Sequence, residues 1–425
     1  MSSEKFSPAF DNLLFSKIFQ TFRIAIQPSK LIIAFLAVVV ICLAGWIMDF
    51  SNSVVATDSQ NTELEIFMAD ATRLPLFIEI YEESGSRTGV FSTLWGFASE
   101  KFNGALESLF AFNLPAVAKN IAEYFKALEW ALRYHWLYCI IFFVIKLAVI
   151  SVAGGGLCRI AALQFARGEK PGLTEAIRFG ITKFTSFFTA PLIPVGVIIF
   201  IGLGMFLLGL IGNIPRVGEL MVGFFTPLAL MAGALIAVVS IGLIAGFNLI
   251  FPAVACDGSD SFDAISRSFR YVYSRPWRMG LYTVAAAVYG AICYTSIRFF
   301  TFLLLLGSRQ FIRLGLWVDN SNEVNKLSVI WPRPSFTSLL GSSDLAASNW
   351  AESVAAFLIH LFLLAVLGLL ISFIISFYFS ANTVIYALLR NKVDDIALDD
   401  VHTNFTEPVA QEDNQTQTNA SPTPE

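Results

Sequence analysis

Three ionisable side chains fall inside runs that are otherwise apolar, and they are the first candidates for chemistry. Lys146, Arg298 and His360 stand in the stretches 134–157, 280–306 and 353–380. A charge at the centre of a bilayer costs on the order of 3 kcal/mol on insertion scales, so it normally faces protein or water and takes a partner. Carboxylates are scarce in these runs; Asp49, at the outer end of the run 31–49, is the one obvious counter-charge. Cations without acid partners would form a site for an anion, either a lipid headgroup or an anionic solute. The competing reading is that Lys146 and Arg298 carry their charges along flexible stems to the interface or onto backbone carbonyls.

Other catalytic constellations are scarce. The three histidines, His135, His360 and His402, make no His-Glu-x-x-His pair, the spacing that sets two zinc ligands on one helical face beside a carboxylate base. No Gly-x-x-x-x-Gly-Lys-Ser/Thr loop is present to cradle nucleotide phosphates. Asp257-Gly258, followed by Asp260 and Asp263, partly matches the aspartate motif of CDP-alcohol phosphotransferases, but the following Ala-Arg and the distal Gly-Asp are missing. Gly307-Ser308 and Gly341-Ser342 lack the surroundings of an intramembrane serine protease. Cys42, Cys139, Cys158, Cys256 and Cys293 show neither metal-ligand spacing nor a disulfide framework. The expectation is a non-enzyme with no metal and no cofactor.

Composition fixes the solvent in which any such site must be held. Of 425 residues, 56% are hydrophobic and 14% charged, with a mean hydropathy of +0.67. Soluble domains carry roughly 25% charged residues, so this chain cannot cover itself with polar surface and lipid is its expected solvent. A net charge of −4 gives no support for nucleic-acid binding. A hydrocarbon core takes roughly 20 helical residues to cross. Six runs meet that length: 31–49, 134–157, 192–212, 228–251, 280–306 and 353–380. They are continuous rather than alternating, which favours helices over barrel strands. The expected fold is an all-α polytopic membrane helix bundle, with about six transmembrane helices plus interfacial amphipathic helices. The first run reads as a retained anchor rather than a cleaved signal, because mixed-charge residues precede it and it is long enough to span.

Lys and Arg are denser in the segments 1–30, 158–191, 252–279 and 381–393 than in the longer loops opposite, which predicts both termini in the cytoplasm. Residues 1–30 then form a cytoplasmic amphipathic segment, 31–393 the membrane domain and 394–425 an acidic, disordered cytoplasmic tail. Asp394, Asp395, Asp399 and Asp400 read as solvated. The outer loop 50–133 is expected to be helical: Asn113 can cap, and Ile121, Phe125, Leu128 and Leu132 make one stripe. Residues 217–227, before Pro227, read as a short re-entrant or interfacial piece. Gly154-Gly155-Gly156 reads as a frayed helix end. Ala229, Gly233 and Ala237, with Gly242 and Gly246, form small-residue spacings that let helices approach, so the fourth span is expected to be central.

A basic amphipathic segment meets a proline and then a spanning run three times. Phe10, Leu14, Ile18 and Phe22 precede Pro28; Leu173, Ile177, Ile181, Phe184 and Phe188 precede Pro191; Phe262, Ile265, Phe269 and Val272 precede Pro276. Spacings of three and four place each set on one helical face. In the third copy Asp260 can cap, and Asp263 stands four residues before Arg267, the favoured order for a pair. Arg267, Arg270, Arg275 and Arg278 make this the interfacial basic helix, and all three amphipathic helices are expected to lie flat on the cytoplasmic face. The plainer alternative is that inner loops of any multi-pass protein are basic.

Phe251-Pro252-Ala253-Val254, then Phe262-Asp263-Ala264-Ile265-Ser266-Arg267-Ser268 and Trp277-Arg278, resembles a pattern in bacterial multi-pass proteins of the glycerophosphodiester phosphodiesterase membrane-domain family. The resemblance covers about residues 251–300. It implies a bacterial inner-membrane protein that is an accessory or stand-alone bundle. The soluble phosphodiesterase domain has no counterpart here, so hydrolase activity is not implied. The leading expectation is a non-enzymatic accessory or scaffold-like protein engaging membrane lipids, with anionic headgroups as one candidate, through basic amphipathic helices. The alternatives are a transporter for an anionic or lipid-like solute using Lys146 and Arg298, and, behind it, a membrane-embedded lipid-modifying enzyme.

Overall fold

The computed structural model describes residues 15–51, 54–58, 61–82, 86–315, 326–336, 338–341 and 349–401. Phe10, Leu14, His402 and the tail beyond it lie outside the described residues. Six helices are long and apolar enough to cross a membrane. They are α2 (Pro28–Ser51), α7 (Trp136–Arg167), α10 (Leu192–Gly212), α11 (Val217–Asp257), α13 (Pro276–Gly315) and α15 (Trp350–Asp394). Between them come α1 (Thr21–Ala25), α3 (Glu63–Ala69), α4 (Leu74–Glu82), α5 (Val90–Phe110), α6 (Leu114–Tyr134), α8 (Leu173–Thr182), α9 (Phe184–Thr189), α12 (Ser261–Ser274) and α14 (Lys326–Ile330). Strands β1 (Val55–Thr57) and β2 (Ser86–Thr88) pair antiparallel, with Val55 opposite Thr88. The chain is an all-α polytopic bundle and an integral membrane protein.

Helix boundaries follow local chemistry. Pro28 opens α2, where a missing N–H costs little. Asn113 caps α6 by accepting from the Ala116 amide at 3.2 Å, and Asn349 caps α15 by accepting from Glu352 at 3.0 Å. Asp260 occupies the N-cap of α12, yet its side chain makes no capping bond. Residues 217–227 are not a separate re-entrant piece: they form the first turns of α11, which runs through Pro227. A proline costs one backbone bond, which a membrane helix tolerates when nearby hydroxyls re-satisfy the carbonyls. Thr226 donates to the Val222 carbonyl at 2.7 Å, next to that break.

The glycine triplet is no helix end. Helix α7 continues to Arg167, and the three glycines are where its neighbours come closest. A Cβ on Gly154 would stand 2.7 Å from the Phe379 ring of α15, and one on Gly155 would stand 2.5 Å from Phe187 of α9. On Gly156 it would stand 2.9 Å from the Ala176 carbonyl of α8. Gly180 of α8 returns the contact, since a side chain there would run into the Val152 carbonyl. Helix α8 therefore runs back along α7. Helix α12 runs back along α11 in the same way: Phe269 covers Gly242, and Tyr273 donates to the Val238 carbonyl. The two amphipathic helices therefore do not lie flat as expected, because the close backbone approach at these glycines draws each of them upright against a spanning helix.

Burial is concentrated at the end of the bundle that carries these returning helices, called the basic end below. Leu157, Ile160, Val254, Val384, Tyr386 and Leu388 are all fully buried there. The outer part of α11 is not central. Gly233 has nothing within 4 Å, and Leu230 and Met231 are each 70% exposed. Helix α10 buries only Pro194. The central elements are α7 and the second half of α15. At the far end a smaller core forms from Val55, Leu64, Leu74, Val90, Ala127, Trp130 and Ala131. It buries a different face of α6 from the one read in the sequence, since Ile121, Phe125 and Leu132 remain exposed.

Overpacking a close-packed site typically costs about 1–3 kcal/mol. Gly180→Val should therefore lower the thermal unfolding midpoint of the purified protein. Gly196→Val, on the open surface of α10, should leave it unchanged.

Candidate functional site

The end of α11, α12, α7 and the second half of α15 bring a set of buried charges together at the basic end. Asp257 is the last residue of α11, with its side chain 8% exposed. It accepts from Arg390 of α15 and Tyr386, and from Arg267 of α12 at 3.2 Å. Arg267 also holds Asp263 at 2.9 Å, the pair expected from their spacing. One turn on, Asp394 accepts from Arg270 and from the Tyr271 hydroxyl, the latter at 2.6 Å. Burial works against the charge of Arg267, but Asp263 and Asp257 overcome it and hold its pKa above the ordinary value. Burial first, and then Asp394, push the Tyr271 hydroxyl well up.

Cations near this cluster reach backbone carbonyls, the natural acceptors at helix C-termini. Arg159 donates to Ala255 O at 3.2 Å and stands 5.0 Å over the Phe179 ring. Lys183 donates to Gly258 O at 2.8 Å. Arg167 donates to Val401 O at 3.2 Å, and Arg390 to Asp400 O. The backbone of 395–401 is thus tied down, with Val401 buried, while the side chains of Asp395, Asp399 and Asp400 stay exposed; Asp394 alone of the four acids is taken up, as the counter-charge of Arg270. Lys30, fully buried at the start of α2, donates to Ser380 Oγ. Ser380 donates to Ser376 O, and Ser376 to Ala25 O at 2.7 Å, which completes the chain of donors.

The three intramembrane candidates are in different surroundings. Arg298 is buried; it donates to Phe336 O at 3.0 Å and to Tyr294 at 3.2 Å, and it also holds Asn103 of α5. It lines a cavity of about 310 Å³ with Leu106, Glu107, Phe110 and Thr295. Lys146 and His360 stand on exposed faces of α7 and α15 and do not line that cavity. Of the basic residues of the third amphipathic segment, Arg267 and Arg270 are taken up by carboxylates, Arg275 is exposed and Arg278 half-buried. Sequence reasoning missed Asp257, Lys30 and Arg390. An Asp at a helix C-terminus, where the dipole disfavours it, was a signal that a cation must lie close.

At the far end, Asp49 accepts from the Phe91 and Ser92 amides at 3.1 and 2.8 Å, at the first turn of α5, and from Tyr138 at 2.6 Å. A carboxylate on a helix N-terminus is favourably placed. Glu63 accepts from the Ala56 amide and faces His135 Nε2 at 3.2 Å. Among the described residues no group of three or more His, Cys, Asp or Glu could hold a metal ion.

Compared with family models, with curated proteins and with solved structures, the chain finds no match. The fold and the site therefore define its class on their own: an integral membrane bundle with a closed, charge-paired cluster at one end.

Breaking a buried ion pair by neutralising one partner costs on the order of 3 kcal/mol. Asp257→Asn should show most of that loss in detergent unfolding, whereas Asp263→Asn, at the exposed side of Arg267, should cost about 0.5 kcal/mol. A second expectation concerns alkaline pH. The raised pKa of Tyr271 means the folded state keeps a proton that the unfolded chain gives up near pH ~10. Its stabilisation is complete below that pH and is lost as pH rises toward the folded value. The alkaline decline in unfolding midpoint should therefore be shallower in Tyr271→Phe.

Proposed function

We propose that this is a non-enzymatic accessory or scaffold-like protein of a bacterial plasma (inner) membrane, and that it engages anionic lipid through α12, the start of α13 and α8. The carrying observation is the two-faced character of these segments. One face packs into the bundle through Ala176, Phe179, Gly180, Ala264, Ser268 and Tyr271. The other leaves Ile181, Phe262 and Trp277 exposed at 60, 73 and 80%, beside Arg178, Arg275 and Arg278. Apolar side chains flanked by cations are what an interfacial segment offers to headgroups and acyl chains.

Because Arg267 and Arg270 are neutralised by carboxylates of the protein, the lipid-facing charge falls to Arg275, Arg278 and Arg178. Placing the termini and these segments on the cytoplasmic side follows from the density of Lys and Arg, and anionic lipid is concentrated in that leaflet. The resemblance of about residues 251–300 to the glycerophosphodiester phosphodiesterase membrane-domain family supports the same accessory role.

A second reading, a transporter for an anionic or lipid-like solute, is favoured by one observation, the cavity beside Arg298. Its walls combine a guanidinium, an amide, a hydroxyl and the Glu107 carboxylate with Leu106, Phe110 and Phe336, the mixed apolar and polar lining of a small-ligand site.

The test is quenching of Trp277 by brominated lipid in nanodiscs, with Trp277→Phe used to isolate its share of the emission. Each basic residue near an anionic surface contributes about 1 kcal/mol. Arg275→Gln with Arg278→Gln should therefore lower the preference of that site for phosphatidylglycerol over phosphatidylcholine by roughly thirtyfold. Equal quenching by both lipids in the wild type would refute the lipid reading. Arg298→Met should leave quenching unchanged, and it is the variant that should stop uptake if the second reading holds.

A further inference from the structure

Three arginines meet at the far end of the bundle, and among the described residues no carboxylate pairs with any of them. Arg309 and Arg313 stand four residues apart near the end of α13, so they share one face of that helix. Arg333 belongs to the loop after α14, two residues past Trp331, whose carbonyl accepts from Arg309 Nε at 2.9 Å. Arg313 and Arg333 both lie close enough to Arg309 to repel its charge. Arg309 is only 8% exposed, while Arg313 and Arg333 are open to solvent.

The loop that carries Arg333 is held on both sides. The Trp331 amide donates to the Leu327 carbonyl at 2.8 Å, and Leu327, Trp331 and Leu339 are buried. The Phe336 carbonyl accepts from Arg298 at 3.0 Å, which ties the loop to α13 a second time. Gly341, at φ +71°, passes so close that a Cβ there would stand 2.9 Å from the Arg333 carbonyl. Packing thus fixes the third arginine beside the other two.

Electrostatics opposes this arrangement. Like charges at i and i+4 repel, and a guanidinium taken out of water with one backbone acceptor is poorly compensated. At the basic end Arg267, Arg270 and Arg390 each hold a carboxylate. A guanidinium has donors only, so what satisfies the far-end trio must be an acceptor. One guanidinium fork saturates the two oxygens of a carboxylate, whereas a phosphate brings further oxygens and can take several forks at once. Arg309 lies roughly 50 Å along α13 from Pro276 at 1.5 Å per residue, against a hydrocarbon core of about 30 Å. The trio therefore reaches the headgroup level of the far face. Ile312 and Leu314, next to Arg313 in sequence, are exposed apolar residues at that level.

We propose that Arg309, Arg313 and Arg333 form a binding site for a phosphate group at the far face of the membrane. The chemistry is shared by an anionic phospholipid headgroup and by free inorganic phosphate. The site stands at the opposite end from α8 and α12 and does not depend on the lipid reading given to them.

The experiment follows the unfolding midpoint of the delipidated full chain in neutral detergent as inorganic phosphate is titrated, with sodium chloride of matched ionic strength as reference. Native mass spectrometry counts bound phosphatidylglycerol in the same samples. The test variant is Arg313→Gln with Arg333→Gln, both at exposed positions. The control is Arg216→Gln, an exposed arginine between α10 and α11. Each charge-assisted contact is worth about tenfold in affinity, so the test variant should need roughly a hundredfold more phosphate for the same gain. It should also carry one phosphatidylglycerol fewer. In chloride alone it should unfold no lower than the wild type, because the repulsion on Arg309 is relieved; a merely structural role would lower the midpoint in both salts. A phosphate response lost in the variant with no change in bound lipid assigns the site to free phosphate. Loss of the lipid with no response to inorganic phosphate assigns it to a headgroup, and loss of both supports one shared site. The proposal is overturned if neither changes, if the variant loses the same stability in both salts, or if Arg216→Gln does as much.

Discussion

Helix α7 can be approached from three sides at once only because residues 154–156 lack side chains. Phe379 and Phe251 close on Gly154, Phe187 closes on Gly155, and the backbone of α8 lies against Gly156. In lipid no hydrophobic effect drives helix against helix, so association depends on close van der Waals contact and on polar bonds between helices. The triplet supplies the contact. It draws α8, α9, α11 and α15 to a common level, and that level is where the polar groups of the basic end meet.

Once these helices converge, their C-terminal carbonyls and charged side chains become a shared problem. Asp257 ends α11 against the helix dipole and is tolerable because Arg390 and Arg267 reach it from two other helices. Burying charge is expensive, and the cost is offset only when geometry and further bonds satisfy each group. Tyr386, Asp400 O and the returning chain 395–401 provide those bonds. The result is a closed cluster that fixes the relative angle of α11, α12 and α15. The faces of α8 and α12 left over are the ones available to lipid, and their apolar residues stand beside cations that the cluster does not consume.

Much of this was legible in the sequence because membrane spans are written as length and continuity. All six runs became helices, Asn113 capped, and Asp263 met Arg267. What was illegible depended on contacts between distant segments. Three glycines in a row look like a helix end in one dimension; the ring of Phe379, more than two hundred residues away, explains the first, and Phe187 and the Ala176 carbonyl explain the other two. Residues Ala176 and Gly180 turned inward beside the expected Leu173 and Ile177 stripe, since small residues win where backbones touch, and the Phe179 ring went with them onto Phe187. Lys30 read as one more positive charge at a membrane edge, and its burial on Ser380 required a partner at the other end of the chain. Asp257 was weighed against an enzyme motif when its neighbours in space were arginines.

Helices α10 and the first half of α11 form a hairpin that meets little but itself. Along that arm Gly202, Gly204, Gly209 and Gly233 face open space, so no partner atom inspects the shape of the side chains there. Hydrocarbon asks only that a residue be apolar, and many residues answer equally well. The arm should therefore drift freely in sequence among Leu, Ile, Val, Phe and Met while the triplet of α7 stays fixed. Within one chain, two regions of similar composition thus obey different rules of substitution, one set by solvent and the other by neighbours.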